Sequence, residues 1–159
     1  MIPQEAESDI EKHYEITELY KYAGPIPPSI DATLYNSRKI DALQSDKSYV
    51  KDNIILGKSI ASTYGFEGEN WDCLDKLWGI RESGWDHLIQ NKEHKERGLP
   101  IELSAYGIAQ AYPGKKMAAN GSDWRWNPET QIRWGLDYIR DVYSNPCVAL
   151  QHSLQYNSY

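Results

Sequence analysis

The 159-residue sequence contains very little phenylalanine, methionine or cysteine. There is one Phe and there are two Met, against six Trp and twelve Tyr. Most aromatic side chains therefore carry a polar group, which suits surfaces that bind ligands both apolar and hydrogen-bonding, such as sugars. Five of the six Trp fall in two clusters, at positions 71, 78 and 85 and at positions 124 and 126. Composition alone does not separate core filling from ligand stacking.

Long apolar runs and an excess of basic residues are also absent. The longest apolar runs, such as residues 54–56, are far shorter than the roughly 20 residues that span a bilayer, so no membrane span is predicted. Residues 1–15 are acidic and lack the basic start and apolar stretch of a signal peptide. With 23 Asp and Glu against 17 Lys and Arg, the net charge is -6. This balance argues against nucleic acid as the main partner, because phosphate binding depends on basic side chains.

The two cysteines, Cys73 and Cys147, lie 74 positions apart, and neither belongs to a CxxC or Cys/His spacing typical of a zinc site. On spacing alone they are either two buried thiols or one long-range disulfide. The sequence calls for no metal, nucleotide or redox cofactor.

The chain divides into two segments of different character. Residues 1–48 disperse their apolar residues among charges, and Gly-Pro-Ile-Pro-Pro at positions 24–28 breaks any helix begun earlier. We predict an N-terminal arm or linker there, with at most one short helix. Residues 49–159 show helical spacing and no convincing alternation, so the fold class is predicted to be mostly α.

Four helices are predicted from apolar spacing and from end signals. The first runs from Ser48 to about Tyr64, the second from about Glu69 to Ser83, the third from Pro128 to Asn145, and the fourth from Cys147 to Gln155. The predicted apolar stripes are Val50, Ile54, Ile55, Ile60 and Ala61 on the first helix, and Ile132, Leu136, Ile139 and Val142 on the third. The charged run at 92–97 predicts a solvated loop or exposed short helix, with a flap over a groove as the alternative.

Glu82 is the first candidate for chemistry. It follows Trp71 and Trp78 by eleven and four positions, so it lies on roughly the same helix face, in the last turn before Gly84. Desolvation and the negative end of the helix dipole both disfavour its anion. A carboxyl group that holds its proton near neutral pH can act as a general acid. The alternative is a surface glutamate, free or paired with Arg81 or Arg97.

Four blocks of sequence carry a resemblance to a known family. They are Arg-Glu-Ser-Gly-Trp at 81–85, Ala-Tyr-Gly-Ile-Ala-Gln at 105–110, Asn-Pro-Glu-Thr-Gln-Ile-Arg-Trp-Gly-Leu-Asp-Tyr-Ile at 127–139, and Pro-Cys-Val-Ala-Leu-Gln-His-Ser at 146–153. In this order they resemble the soluble lytic transglycosylase-like family, in the variant of secreted actinobacterial proteins and phage tail tape-measure proteins. The resemblance covers about residues 50–159.

The resemblance implies a lysozyme-like helical domain over 49–159 that cleaves the β-1,4 bond between N-acetylmuramic acid and N-acetylglucosamine in peptidoglycan. Glu82 matches the family's single catalytic acid, which then acts as a base while the muramic C6 hydroxyl closes onto C1 to give a 1,6-anhydro sugar. The partner implied is the peptidoglycan glycan strand, the location is extracellular or at the cell wall, and we expect a monomer.

Other family positions match residue by residue. Ser83 matches a serine beside the catalytic carboxyl; the alternative is a plain polar residue at a helix end. Gln110 matches a glutamine that faces the sugar cleft; the alternative is a buried glutamine that caps a loop. Tyr106, which precedes it, is expected to form cleft wall or core. His152 stands where many members have the tyrosine of an Ala-Tyr-Asn motif. It is expected to position the substrate or the acid, with a hydrogen-bonded core histidine as the alternative. Cys73 and Cys147 match paired cysteines of the variant, which implies a disulfide and an oxidising compartment.

Two alternatives to a lytic transglycosylase stay open. A hydrolytic muramidase on the same fold would use a second carboxylate, for which Asp86, Glu102 and Asp123 are the candidates. A wall-binding or assembly module would use the same fold as a sugar clamp without catalysis.

Overall fold

The computed structural model describes residues 47–159. The predicted arm over residues 1–48 therefore lies, apart from Lys47 and Ser48, outside the described residues. The described part is mostly helical and contains no strand, as predicted; two isolated bridges join Gln90 to Tyr106 and Tyr106 to Ala111. No helix between residues 47 and 159 is long and apolar enough to cross a bilayer.

Five α-helices form in the described chain. They are α1 (Tyr49–Thr63), α2 (Glu69–Lys76), α3 (Lys92–Glu96), α4 (Pro128–Tyr143) and α5 (Pro146–Tyr156). A π-helix, Leu77–Glu82, continues α2, and two 3₁₀ helices, Ile101–Leu103 and Gly114–Ala119, lie between α3 and α4. The four predicted helices are confirmed, with the second ending in π geometry, and the charged run contains the short helix α3, which has no buried residue.

The buried face of α1 differs from the predicted stripe. Ile60 and Ala61 are buried as expected, but Ile55 is 68% exposed. Asn53 and Gly57 face the core instead: the Asn53 amide donates to the Trp85 carbonyl at 2.8 Å, and a Cβ at Gly57 would overlap the Trp85 ring. The contact with Trp85 therefore determines how α1 is rotated. On α4 the predicted stripe is confirmed except for Val142, which is exposed.

Tryptophan rings form the centre of the core. Trp71, Trp78 and Trp85 are all buried, with the Trp85 ring centroid 5.6 Å from that of Trp71 and 5.2 Å from that of Trp78. Gly135 on α4 allows this packing, because a Cβ there would lie 2.5 Å from the Trp78 ring. Trp124 and Trp126 are buried as well. Both clusters of Trp in the sequence thus serve packing.

A disulfide between Cys73 and Cys147 joins α2 to α5, with the two Cα atoms 5.0 Å apart. The pairing expected from the family resemblance is confirmed. In the chain-entropy description, a closed loop of this length stabilises the fold by about 4 kcal/mol. Because the π-helix that ends at Glu82 continues directly from α2, the bridge also restrains the start of α5 relative to Glu82.

Buried Gln131 on α4 joins three loop segments through its side-chain amide. Its amide nitrogen donates to the carbonyls of His87 and Trp124 at 2.9 and 2.8 Å, and its carbonyl accepts from the Ile108 N–H at 2.9 Å. Gly107 has φ 75° and lies so close to Gln131 that an added Cβ would overlap the amide. One side chain therefore fixes three backbone segments that are far apart in sequence.

Candidate functional site

The main chain turns sharply at Glu82, the last residue of the π-helix. The N–H groups of Ser83 and Gly84 both donate to the Trp78 carbonyl, at 3.1 and 2.9 Å, and Gly84 and Trp85 follow with φ of 65° and 60°. π-Helical turns occur frequently at functional sites. Here the turn leaves the Glu82 carboxyl half-buried at the edge of a pocket.

Burial raises the pKa of Glu82 from its ordinary value of 4.5 to about 7, while the charge of Arg81 opposes the rise. The charge of Arg81 offsets only part of the rise that burial causes. Its guanidinium donates to the Ser153 carbonyl and to Asn157 Oδ1, both at 2.9 Å, and so engages α5 and the residue that follows it. Glu82 forms no ion pair among the described residues. A carboxyl group in this state is protonated about half of the time near pH 7 and can donate its proton.

The pocket beside Glu82 has a volume of about 340 Å³. Its lining mixes small, aromatic and polar side chains: Asn91, Ala105, Ala109, Gln110, Ala111, Tyr112, Lys116, Trp134, Tyr138, Asn157, Ser158 and Tyr159, together with Glu82. These residues come from the π-helix, the residue before α3, the loop between the two 3₁₀ helices, the second 3₁₀ helix, α4 and the segment after α5. Within the described residues, no group of three His, Cys, Asp or Glu could hold a metal ion.

Tyr159 is one of the pocket residues that the sequence analysis did not identify. Its hydroxyl accepts from Trp78 Nε1 at 2.7 Å and donates to the Ala109 carbonyl at 2.9 Å. Burial and the nearby charge of Glu82 raise the pKa of Tyr159 well above its ordinary range. A hydroxyl with both partners in place and a raised pKa positions its neighbours rather than supplying a proton. No spacing signal marked it, because it follows the end of α5.

Two aromatic rings from α4 form one wall of the pocket. Trp134 and Tyr138 are four residues apart, with ring centroids 5.4 Å apart and planes within 6° of parallel. The Tyr138 ring in turn contacts that of Tyr159, at 6.0 Å between centroids. Flat rings with polar edges suit the apolar face and hydroxyl rim of a sugar. The i, i+4 spacing of this pair beside the buried stripe of α4 could have revealed the wall.

Gln110, which the sequence analysis expected to face a sugar cleft, lines the pocket beside Glu82. Its backbone has φ 49°, and its amide nitrogen donates to the carbonyls of Gly107 and Ile89 at 2.9 and 3.3 Å. Its side-chain carbonyl has no hydrogen-bond partner among residues 47–159. The amide therefore stabilises the loop and keeps an acceptor for a ligand N–H or O–H.

Tyr106 and Ser83 are buried and do not line the pocket. The Tyr106 hydroxyl donates to the Arg125 carbonyl at 2.7 Å, and its ring packs edge-on against Trp124. The Ser83 hydroxyl donates to the Ile108 carbonyl at 2.7 Å, which ties the turn after Glu82 to the loop that carries Gln110. The structure thus gives both residues contacts within the protein.

His152 also lies outside the pocket lining, on α5. Its Nδ1 donates to the Ser158 carbonyl at 2.7 Å, and its ring packs between Tyr143 and Tyr156, with centroids 5.2 and 4.6 Å away. Ser158 precedes Tyr159 and lines the pocket itself. His152 thereby holds the segment that places Tyr159 near Glu82, which is an indirect contribution to the site.

The three candidates for a second carboxylate all lie away from the pocket lining. Asp86 is buried and accepts from the Leu88 N–H at 2.9 Å. Glu102 pairs with Arg125 at 2.9 Å, and Asp123 accepts from the Thr130 hydroxyl at 2.6 Å. Among the described residues that line the pocket, Glu82 has the only carboxylate side chain.

Comparison of the chain with protein-family models, with curated proteins and with solved structures found no match.

Proposed function

We propose that this protein is a peptidoglycan lytic transglycosylase with Glu82 as its single acid and base. The observation that carries the proposal is a carboxyl group with a pKa of about 7 at the edge of a pocket with aromatic walls. A side chain that is both protonated and ionised near neutral pH can give up a proton in one step and take one in the next. The four blocks of family resemblance add the reaction and the substrate.

In the proposed reaction, the Glu82 carboxyl donates its proton to the glycosidic oxygen as the bond from this oxygen to C1 of the muramic sugar breaks. The C6 hydroxyl of the same sugar then attacks C1 and loses its proton to the Glu82 carboxylate. The products are a shortened glycan and a 1,6-anhydro end, and the carboxyl is protonated again. No water is consumed.

The position of the other carboxylates supports this reaction over hydrolysis by two carboxylates. Inverting and retaining glycosidases need a second carboxyl group within about 10 Å of the first, facing the bond that breaks. Asp86, Glu102 and Asp123 have partners within the protein and do not line the pocket. A one-carboxyl mechanism matches that arrangement.

The disulfide supports a site of action outside the reducing cytoplasm, since structural disulfides persist mainly in oxidising compartments. We therefore place the proposed activity in the cell wall or the extracellular space, where peptidoglycan lies.

Digestion of purified peptidoglycan tests the proposal. The parent protein should release muropeptides with anhydro ends, each lighter by one water than the reducing-end product of a muramidase, as read by mass spectrometry. Glu82→Gln, which keeps the shape but not the titration, should slow release at least about a hundredfold, the lower range for loss of a general acid. The matched control is Glu96→Gln, an exposed residue of α3 whose pair with Lys92 spans 3.9 Å.

Equal digestion by the parent and by Glu82→Gln would refute the catalytic assignment. Reducing ends in place of anhydro ends would assign the site to a muramidase.

A further inference from the structure

Among the described residues that line the pocket, only two have charged side chains, and these have opposite sign. Glu82 supplies the carboxyl, and Lys116 supplies an ammonium group. Lys116 takes part in no ion pair within residues 47–159, although the chain as a whole has a net charge of -6. When Glu82 is protonated, the side chains of the lining therefore carry a single positive charge.

The main chain at Lys116 is firmly held. Lys116 lies in the 3₁₀ helix Gly114–Ala119, whose Met117 side chain is fully buried. The Gly114 N–H donates to the Ser104 carbonyl at 2.7 Å, and a Cβ at Gly114 would overlap the Ile101 carbonyl. The main chain thus holds the base of the Lys116 side chain at the pocket. Lys115 and Lys116 are both exposed, but only Lys116 lines the pocket.

An anionic ligand would face repulsion from Glu82 whenever that carboxyl is ionised. An exposed lysine ammonium that extends from a held main chain at the same pocket offsets this repulsion and favours a ligand that carries a carboxylate over a neutral one. A lysine ammonium is a compact charge with three donors, which suits a single carboxylate attached to a flexible group.

We propose that Lys116 makes the pocket selective for β-1,4 glycans that carry a carboxylate substituent, and that it discriminates against uncharged glycans of the same backbone. This inference rests on the proposed glycan-cleaving function and adds the feature of the substrate that the site recognises. The carboxylate has two sources in peptidoglycan: the lactyl group on the sugar, where it is free, or the attached peptide, where the lactyl group is amidated.

Binding of soluble tetrasaccharides tests the proposal. The proteins are full-length Glu82→Gln, alone and combined with Lys116→Gln, Lys116→Arg or Lys115→Gln. The Glu82→Gln substitution prevents cleavage of the ligand, and its amide mimics the protonated acid. The ligands are a neutral tetramer of N-acetylglucosamine, a tetramer with free lactyl carboxylates, and a tetramer with peptides on the lactyl groups. Isothermal titration calorimetry reports the dissociation constants at low and high salt.

We expect one or both carboxylate-bearing tetramers to bind more tightly than the neutral tetramer, and Lys116→Gln to reduce that preference by about fivefold, the upper range for a solvent-exposed ion pair. Lys115→Gln should keep the preference, Lys116→Arg should restore most of it, and high salt should reduce it. Preference for the free lactyl tetramer alone assigns the contact to the sugar, and preference for the peptide-bearing tetramer alone assigns it to the peptide.

Equal binding of all three ligands, no binding of any, or a preference that Lys116→Gln leaves unchanged overturns the inference. Its failure is distinguishable from failure of the proposed function: cleavage of peptidoglycan without a carboxylate preference refutes only the role of Lys116. A carboxylate preference without cleavage refutes the transglycosylase activity.

Discussion

Replacing Glu82 by Gln should stabilise the protein at pH 8 and change its stability much less at pH 5. In the folded protein the carboxyl titrates with a pKa of about 7, against an ordinary value of 4.5. The folded state thus holds the proton more tightly than the unfolded state does. The stabilisation by this proton is fully present below about pH 4.5 and is lost as the pH rises through about 7.

The size of the effect follows from the difference between the two pKa values. At roughly 1.4 kcal/mol per pH unit, the gap corresponds to about 3 kcal/mol of free energy of unfolding. Because the carboxyl is only half-buried, screening by solvent reduces the expected gain at pH 8 to about 2 kcal/mol. Gln does not ionise, so the variant should lack this alkaline loss of stability.

Urea unfolding followed by tryptophan fluorescence measures the effect, with the disulfide intact, at intervals from pH 5 to 8. The difference in free energy of unfolding between variant and parent is the quantity to plot. Taking this difference cancels the contribution of His87. Burial lowers the pKa of His87 to about 4, so both proteins lose the same stability as the pH falls below 6.5. Glu96→Gln should show a flat difference. If the Glu82→Gln difference were equally flat, the carboxyl would titrate normally and the case for a general acid would fail.

Three further substitutions test other parts of the site. Tyr159→Phe removes the hydroxyl that bonds to Trp78 Nε1 and to the Ala109 carbonyl, so the free energy of unfolding should fall by about 1–2 kcal/mol. Steady-state kinetics should show a larger change in kcat than in KM. Cys147→Ser should lower the free energy of unfolding by up to about 4 kcal/mol, measured against parent protein under non-reducing conditions. Gly107→Ala should cost more than about 2 kcal/mol, since the added Cβ meets Gln131 at a positive φ; a melting temperature equal to that of the parent would contradict this packing argument.

Local signals predicted the helices well. Asn127 and Pro128 mark the start of α4, and the structure has the Asn127 side chain accepting from the Glu129 N–H at 2.9 Å with Pro128 as the first helical residue. Such caps depend on a few neighbouring residues, so sequence contains the needed information. The rotation of α1 does not depend on local signals: the contacts of Asn53 and Gly57 with Trp85 place Ile55 on the surface.

The site also contains residues that local sequence signals mark and residues that only tertiary contacts place. The sequence analysis expected desolvation to disfavour the Glu82 anion, and burial is the main cause of its raised pKa in the structure. Tyr159 and Lys116 reach the pocket through loops and a 3₁₀ helix, whose paths depend on tertiary contacts that periodicity does not describe. The family resemblance singled out Gln110, which lines the pocket. It did not distinguish that residue from Ser83 and Tyr106, which have buried partners instead.

Burial is the main cause of the raised pKa of Glu82, and the charge of Arg81 opposes it, so the direction of the Arg81 side chain also matters. An adjacent guanidinium would lower the pKa of the carboxyl strongly if the two groups formed an ion pair. Arg81 instead donates to Ser153 and Asn157, and the disulfide restrains the start of the same helix, α5, against α2. His152 donates a hydrogen bond to the carbonyl of Ser158, the residue before Tyr159, and the Tyr159 hydroxyl accepts from Trp78 Nε1. The end of α5 and the residues after it therefore affect Glu82 in two ways. They accept hydrogen bonds from the Arg81 guanidinium, and they contribute Tyr159 to the pocket.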